Sequence, residues 1–461
     1  MSRPLRILMV RPRPAPETIG LQHLMVVEPL ELEVLAALAG SEDQVEIVDL
    51  ILDRRDFDDV LAGSRPDVLC VTGYITHIPA MIAACLAAKG YDTRMKTVAG
   101  GVHVERFPEV VDDPAVDFRV VRNATTVFPR LLDHIREPDK NPVPPGVLRA
   151  AEPLDRAGLP PHRFDFPIPR RDLTARYRRS YFYVFHDRVA LIKTSFGCPR
   201  ACSFCFPRGI TDDIYITRPL AEVVGELEGI AEREIYIVDD DFLVSAARVG
   251  EFLTLLRERG IRKRFLCFGR ADFIASHPEL IGEFRAQGLR TIIVGLESFN
   301  DGELDGYVKD SRASDNVRAL EVLKANGVDC YAGIIVSPGW GHEDFSRLRK
   351  TLVALGVKFI NLQPLTPLPG TGLEVDEDRI IVDRKDYARW DLANVTIRPE
   401  KLSLADYYRE IIRTYARVMV RPGHILSHGK YPPGLQWRLA KGVWRVRRQY
   451  RRMYREARCP S

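Results

Sequence analysis

The sequence predicts an α/β protein built of two successive units with a helical tail, and three observations carry that reading. Apolar runs and helix-like segments alternate from residue 5 to residue 136. A stretch from 137 to 188 is rich in proline, arginine and aspartate without sustained periodicity. A second alternating series then begins at residue 189. With 461 residues, 46% hydrophobic and 28% charged, the chain is long enough for two or three cores and has an ordinary soluble composition.

In the first unit, 1–136, strands are expected at 5–10, 45–52, 68–73, 97–99 and 118–121, with helices around 30–40, 54–63, 78–90, 104–111 and 125–136. Five strands with intervening helices make a doubly wound, Rossmann-like parallel sheet. No Gly-x-Gly-x-x-Gly follows the first strand, which disfavours NAD or FAD. Val98-Ala-Gly-Gly-Val-His103 ends the fourth strand, and two glycines there let a bulky ligand approach the backbone at the edge where open α/β sheets bind ligands. Residues 137–188 read as an ordered, wrapping linker. In the second unit, 189–372, strands are expected near 189–194, 234–239, 264–270, 291–296, 331–337 and 357–363, each but the last followed by a helix. Six such repeats suggest a partial (β/α)6 TIM barrel. Residues 373–461 read as a mainly helical extension, and no internal repeat is visible.

The chemistry is concentrated in Lys193-Thr-Ser-Phe-Gly-Cys-Pro-Arg-Ala-Cys-Ser-Phe-Cys-Phe206, where Cys198, Cys202 and Cys205 stand three and then two residues apart. Three thiolates with no fourth Cys or His close by can hold three corners of a cubane iron–sulfur cluster, which leaves the fourth iron open as a reaction site. Structural zinc wants four ligands, and Cys267 or Cys330 would have to supply the fourth from far along the chain. A disulfide framework does not suit an intracellular-looking chain of this size. Eight cysteines, three of them clustered, and no signal peptide in Met1-Ser-Arg-Pro-Leu-Arg6 lead to an expectation of the cytoplasm. The uncharged run 68–88 is broken by Gly73, Tyr74, Thr76, His77 and Pro79 and reads as strand, loop and helix rather than a membrane span.

The net charge of +4 conceals an asymmetry, because the tail from Lys430 onward carries ten Lys/Arg against the single acidic Glu456. Leu439, Val443, Val446, Tyr450 and Met453 recur there at helical spacing, with Trp437 and Trp444 nearby. This basic amphipathic helix has three readings: peripheral docking on an anionic membrane at the inner face, nucleic-acid contact, or packing on the second unit with solvated arginines.

The cysteine spacing with its Gly-Cys-Pro and Phe-Cys-Phe flanks resembles the cluster loop of the radical S-adenosylmethionine (radical SAM) enzymes. Over roughly residues 5–370 the chain resembles the cobalamin-binding radical SAM family, called class B when its members are methyltransferases. Ile19-Gly-Leu-Gln-His-Leu-Met and Glu28-Pro-Leu-Glu-Leu-Glu33 look like the family's segment before its first helix. Gly100, Gly101 and His103 look like its cobalamin-contacting turn, and Thr72 with Tyr74 occupies its loop after strand three. By the same resemblance Cys198, Cys202 and Cys205 ligate a 4Fe-4S cluster, and Asp239-Asp240-Asp241 falls where members contact the methionyl amino group. Arg270, Glu297 and Ser298 fall where a polar side chain holds the ribose or carboxylate of SAM, and Gly333 to Ile335 fall at the adenine. Two departures stand out. No histidine follows an aspartate by two residues, so the Asp-x-His-x-x-Gly lower-ligand motif is absent and His23 or His103 is left as a substitute. Val121-Arg-Asn-Ala-Thr-Thr126 also replaces the family's Gly-Glu pattern after strand five.

The resemblance implies reductive cleavage of SAM to a 5′-deoxyadenosyl radical, with electrons from a flavodoxin- or ferredoxin-type donor. Hydrogen abstraction from an unreactive carbon of a lipid or natural-product substrate and methyl transfer from methylcobalamin would follow, with a second SAM regenerating the methyl donor. Relatives with this layout also form rings, contract rings or couple carbons, and that is the alternative outcome. RNA modification is more distant, because the methylthiotransferases carry a second cysteine cluster in the N-terminal domain, where this chain has only Cys70 and Cys85.

Overall fold

The computed structural model describes residues 3–421 and 432–458. They fall into two compact units, Met1–Thr18 with Glu28–Ser180 and Lys385–Asp391, and Ile19–Val27 with Tyr181–Arg384 and Leu392–Ser461.

The first unit is built on strands β1 (Arg6–Arg11), β2 (Gln44–Asp49), β3 (Val68–Thr72), β4 (Lys96–Gly100), β5 (Phe118–Val120) and β6 (Val147–Arg149), in the order β2-β1-β3-β4-β5-β6. The first five are parallel and β6 is antiparallel. The chain moves from β1 outward to β2 and then returns to the other side for β3, which opens a crevice at the carboxyl ends of β1 and β3. Both faces are covered. Leu8 and Val10 pack with Val60, Ile78 and Met81 on one side, while Ile7 and Met9 pack with Leu32, Phe128 and Leu131 on the other. That two-sided burial is why the strands read as unbroken apolar runs.

The stretch expected as a linker from 137 is largely part of this unit. Besides the edge strand β6, Arg119 donates to the carbonyls of Arg149 and Glu152, both at 2.7 Å. The 3-10 turns of Arg171–Ser180 are tied down by Thr174 donating to Glu33 and by Arg178 pairing with Glu28. These are individual polar anchors, which leave no periodicity to read.

The second unit carries β7 (Val189–Ile192), β8 (Glu234–Ile237), β9 (Arg264–Gly269), β10 (Leu289–Glu297), β11 (Asp329–Val336) and β12 (Phe359–Pro364), parallel and in sequential order. Alternate residues such as Ile235, Ile237, Ile292, Val294, Ile334 and Val336 join the core beneath the outer helices. The opposite parity faces the bore, where Tyr183, Tyr236, Phe268 and Tyr331 meet ring to ring. The last strand does gain a helix, Leu404–Met419, whose Tyr415 hydroxyl accepts from the Leu362 N–H at 2.9 Å. Residues 373–403, expected to be mainly helical, hold only two short 3-10 turns, and the segment Lys385–Asp391 belongs to the first unit.

Candidate active site and cofactor sites

After β7 the chain forms a short antiparallel pair, Ser195–Phe196 with Ile216–Thr217, which closes the base of the cysteine loop. Gly197 sits at φ 74°, and a Cβ there would lie 2.2 Å from the Ile214 carbonyl oxygen, so only glycine opens this loop. Cys198, Cys202 and Cys205 follow as free thiols, none of them fully buried. Among the described residues no three His, Cys, Asp or Glu side chains converge as a single ion demands. A cubane instead takes one thiolate at each of three irons, and this spaced donor set fits that arrangement.

The Asp239 carboxylate is buried and accepts from the Thr194 N–H at 2.6 Å, the Ser195 N–H at 3.0 Å and the Thr194 hydroxyl at 2.5 Å. Burial raises its carboxyl pKa, while the Lys193 charge and these donors oppose the rise. Asp239 therefore fixes the entry to the cysteine loop, and the expectation that it contacts an amino group does not match these commitments. Its neighbour Asp240 is exposed, has no hydrogen bond or ion pair among the described residues, and acts electrostatically on Cys198 and Cys205. That open carboxylate beside the thiols suits an ammonium group. Asp241, the last of the three expected carboxylates, is buried with Oδ1 on the Leu243 N–H at 3.1 Å and Oδ2 unpartnered. Burial pushes its pKa up to about 6.

The other expected SAM contacts are mostly engaged within the protein. Arg270 donates to Asp272 at 2.9 Å and to the carbonyls of Lys309 and Asp310 at 2.6 and 2.9 Å, with Nη1 3.9 Å from Cys202 Sγ. It is thus aimed at the cysteine loop rather than held open for a carboxylate. Glu297 sits at φ 57° beside a break in register at the end of β10, and its carboxylate accepts from Lys309 Nζ at 2.9 Å. This carboxylate lies over Gly295, where a Cβ would be 2.3 Å from Oε1. Ser298 donates to Glu303 and accepts from the Asn300 N–H at 3.0 Å, stabilising the start of the helix Asp301–Gly306. Gly333 is different. It lies beside Gly295 in register, and an added Cβ would meet only Val294 O at 3.6 Å and Gly295 Cα at 3.7 Å. The protein's own packing therefore does not require glycine there, and Gly333 leaves an open patch in the bore, with buried Ile335 two residues on.

In the first unit the expected cobalamin residues gather at the ends of β3 and β4. Gly101, at φ 109°, is where the strand ends abut, since a Cβ would lie 2.8 Å from Gly73 O and 2.9 Å from Thr72 Oγ1. Gly100 is open, its nearest neighbour to an added Cβ being Val120 Cβ at 3.8 Å. Tyr74 is 63% exposed beside them. His77 beneath it accepts from the Tyr74 N–H at 3.3 Å and is pushed down to about 4 by burial, with the Arg11 charge adding to the effect. His103 packs against Phe107 and Tyr387, its Nε2 buried without a hydrogen-bond partner, and burial pushes it down to about 4. His23 belongs to the second unit. A broad ligand edge with a cradle that a side chain at Gly100 would fill, and neutral imidazoles behind it, fits a large planar cofactor.

Comparison with known proteins finds two family models along the chain. Residues 192–352 match the family model described as the Radical SAM superfamily, and residues 18–132 match the B12 binding domain. The chain is a cobalamin-binding radical SAM enzyme. It is 28% identical over 420 residues to the hopanoid C-3 methylase of Methylococcus capsulatus, covering 89% of this chain and 79% of that protein. It is 24% identical over 398 residues to the anaerobic magnesium-protoporphyrin IX monomethyl ester cyclase of Rubrivivax gelatinosus, covering 82% and 71%. Among solved structures, the radical SAM methyltransferase TsrM from Kitasatospora setae, with cobalamin and a [4Fe-4S] cluster bound, superposes with TM-score 0.66 at 19% identity over the whole of both chains. That last likeness concerns the fold.

Within this radical SAM unit, sequence reasoning missed Lys309, which is buried and paired with Glu297. It stands between Val308 and Asp310, both at positive φ; aspartate tolerates that conformation, but the β-branched valine gives no sign of such a turn.

Proposed function

We propose that this enzyme methylates an unactivated ring carbon of a polycyclic terpenoid lipid, consuming two SAM per turnover. The observation that carries the reading is the match of 89% of the chain, both units included, to a hopanoid methylase. When bound, the cluster and SAM supply a 5′-deoxyadenosyl radical and cobalamin supplies the methyl group. The residues of the chain orient and enclose these groups. Cys198, Cys202 and Cys205 hold the cluster on a loop that Gly197 and Asp239 fix. Asp240 receives the ammonium of SAM, and Gly333 leaves an open surface for the adenine beside Ile335. Thr72, Tyr74, Gly100 and Gly101 seat the cobalamin.

The tail supports a lipid substrate. Leu439, Tyr450 and Met453 of the helix Pro433–Arg458 are buried in the second unit, Tyr450 against Tyr408 and Tyr415. The stripe expected from the sequence is thus largely spent on packing, while Val443 stays exposed. Trp437 and Trp444 lie outside it, 68% and 59% exposed and seven residues apart, with Lys441 and Arg448 over their rings at 5.1 and 5.7 Å. Tryptophans flanked by cations suit an anionic membrane surface. Among the described residues no helix is long and apolar enough to cross a membrane. Replacing both tryptophans with serine should abolish sedimentation with anionic vesicles; unchanged binding would defeat this part.

The decisive experiment is anaerobic purification with iron, sulfide and cobalamin quantified, then incubation with SAM, reductant and a hopanoid lipid. Methylated lipid, 5′-deoxyadenosine and S-adenosylhomocysteine are expected. 5′-Deoxyadenosine without S-adenosylhomocysteine would remove methyl transfer and favour ring formation, the reaction named for the Rubrivivax relative. Reductive SAM cleavage that survives serine replacement of the three cysteines would remove the radical chemistry altogether.

A further inference from the structure

The cysteine loop rests on a turn to which the family reading gives no role. Between the helices Asp301–Gly306 and Ala313–Ala325, Val308 at φ 51° and Asp310 at φ 52° bracket Lys309. A β-branched residue at positive φ is an outlier that persists only where its surroundings hold it. The turn meets the loop at three points. The Ser203 N–H donates to the Tyr307 carbonyl at 3.0 Å. The rings of Phe204 and Tyr307 meet edge to face at 5.8 Å. Lys309 Nζ lies 5.7 Å from the centre of the Phe204 ring. Arg270 binds the same turn through two carbonyls while directing Nη1 at Cys202 Sγ. Arg200, between the first two cysteines, reaches Asp272 at 3.8 Å and Asp310 at 3.6 Å. Lys309 and Glu297 are each only 9% exposed, so water screens neither charge well.

We infer that the Glu297–Lys309 pair, held against the loop by this strained turn and by Arg270, is a positioning device that sets the reduction potential of the cluster ligated by Cys198, Cys202 and Cys205. The physical basis is that nearby charge and hydrogen bonds to the sulfurs are among the levers on such potentials. Added negative charge on reduction is favoured by the lysine and disfavoured by an uncompensated carboxylate. The inference rests on the cluster assignment in the proposed function and deepens it.

The test uses the full-length, anaerobically reconstituted enzyme and its variants Lys309→Met, Glu297→Gln and Lys309→Arg. Iron and sulfide content is measured first, then the cluster midpoint potential by an EPR-monitored redox titration without SAM. Lys309→Met should lower the potential and Glu297→Gln should raise it, each by roughly tenfold in the reduction equilibrium, about 59 mV for one electron. Lys309→Arg, which keeps the charge, should stay near the wild type. Opposite shifts distinguish electrostatic tuning from a loosened loop. Shifts in the same direction, or none, would overturn the inference. A wild-type protein that takes up no cluster would instead strike the proposed function. Should Glu297→Gln fail to fold, the contrast between Lys309→Met and Lys309→Arg decides, and equal potentials in those two also overturn it.

Discussion

Two adjacent glycines at the end of β4 should separate folding from ligand binding. Gly101→Ala forces an L-residue to φ 109° and places a Cβ 2.8 Å from Gly73 O and 2.9 Å from Thr72 Oγ1. The backbone term, in a region that is essentially glycine-only, costs about 1–3 kcal/mol, and overpacking against a strand end adds about 1–3 kcal/mol. The total is about 2–6 kcal/mol, or on the order of 10 °C in Tm for a body of this size. Gly100→Ala carries neither penalty, because its Cβ would meet only Val120 at 3.8 Å. It should melt with the wild type yet weaken cobalamin binding, since the methyl group fills the space left for the ligand. Differential scanning fluorimetry of the cofactor-free protein and equilibrium dialysis with hydroxocobalamin read the two effects separately. Gly101→Ala melting with the wild type, or Gly100→Ala binding cobalamin unchanged, would refute the reasoning.

Asp239→Ala should orphan the N–H groups of Thr194 and Ser195 and the Thr194 hydroxyl, each at about 1–3 kcal/mol. Iron uptake on reconstitution should fall sharply; wild-type iron content would argue against its role at the loop entry. His77 gives a pH dependence. Its folded pKa of about 4 lies below the ordinary 6.5, so the unfolded chain takes up a proton first as pH falls. Its contribution is therefore complete above 6.5 and lost toward 4, by up to about 3 kcal/mol. Glu33, raised to about 8 by burial and by Glu28, runs the other way, losing stability as pH rises from 4.5. Urea unfolding of His77→Gln across pH 4 to 7 isolates the histidine, and a profile parallel to the wild type would contradict its assignment.

The strands were legible because parallel strands buried on both faces leave apolar runs, as in Ile7 to Val10. The thiol triad was legible because its ligands are local in sequence. What escaped was held by long-range polar contacts. Arg119, Thr174 and Arg178 bind the supposed linker to the first unit. Arg270 and Glu297 were singled out, but their partners come from the turn at Lys309, which only the fold brings to the cysteine loop. Asp239 and Asp240 looked equivalent in sequence and differ because one follows the parity of Ile235 and Ile237 toward the outer layer.

The interleaved course of the chain has a consequence for biosynthesis. Thr18 donates to the Ala388 carbonyl at 2.9 Å, and Tyr387 packs on His103, so the N-terminal body incorporates a strip from far downstream. A ribosome must therefore deliver the chain through Asp391 before the B12 module is complete. Neither module can be excised as one continuous gene fragment, and a truncated transcript would yield a B12 module missing its final strip.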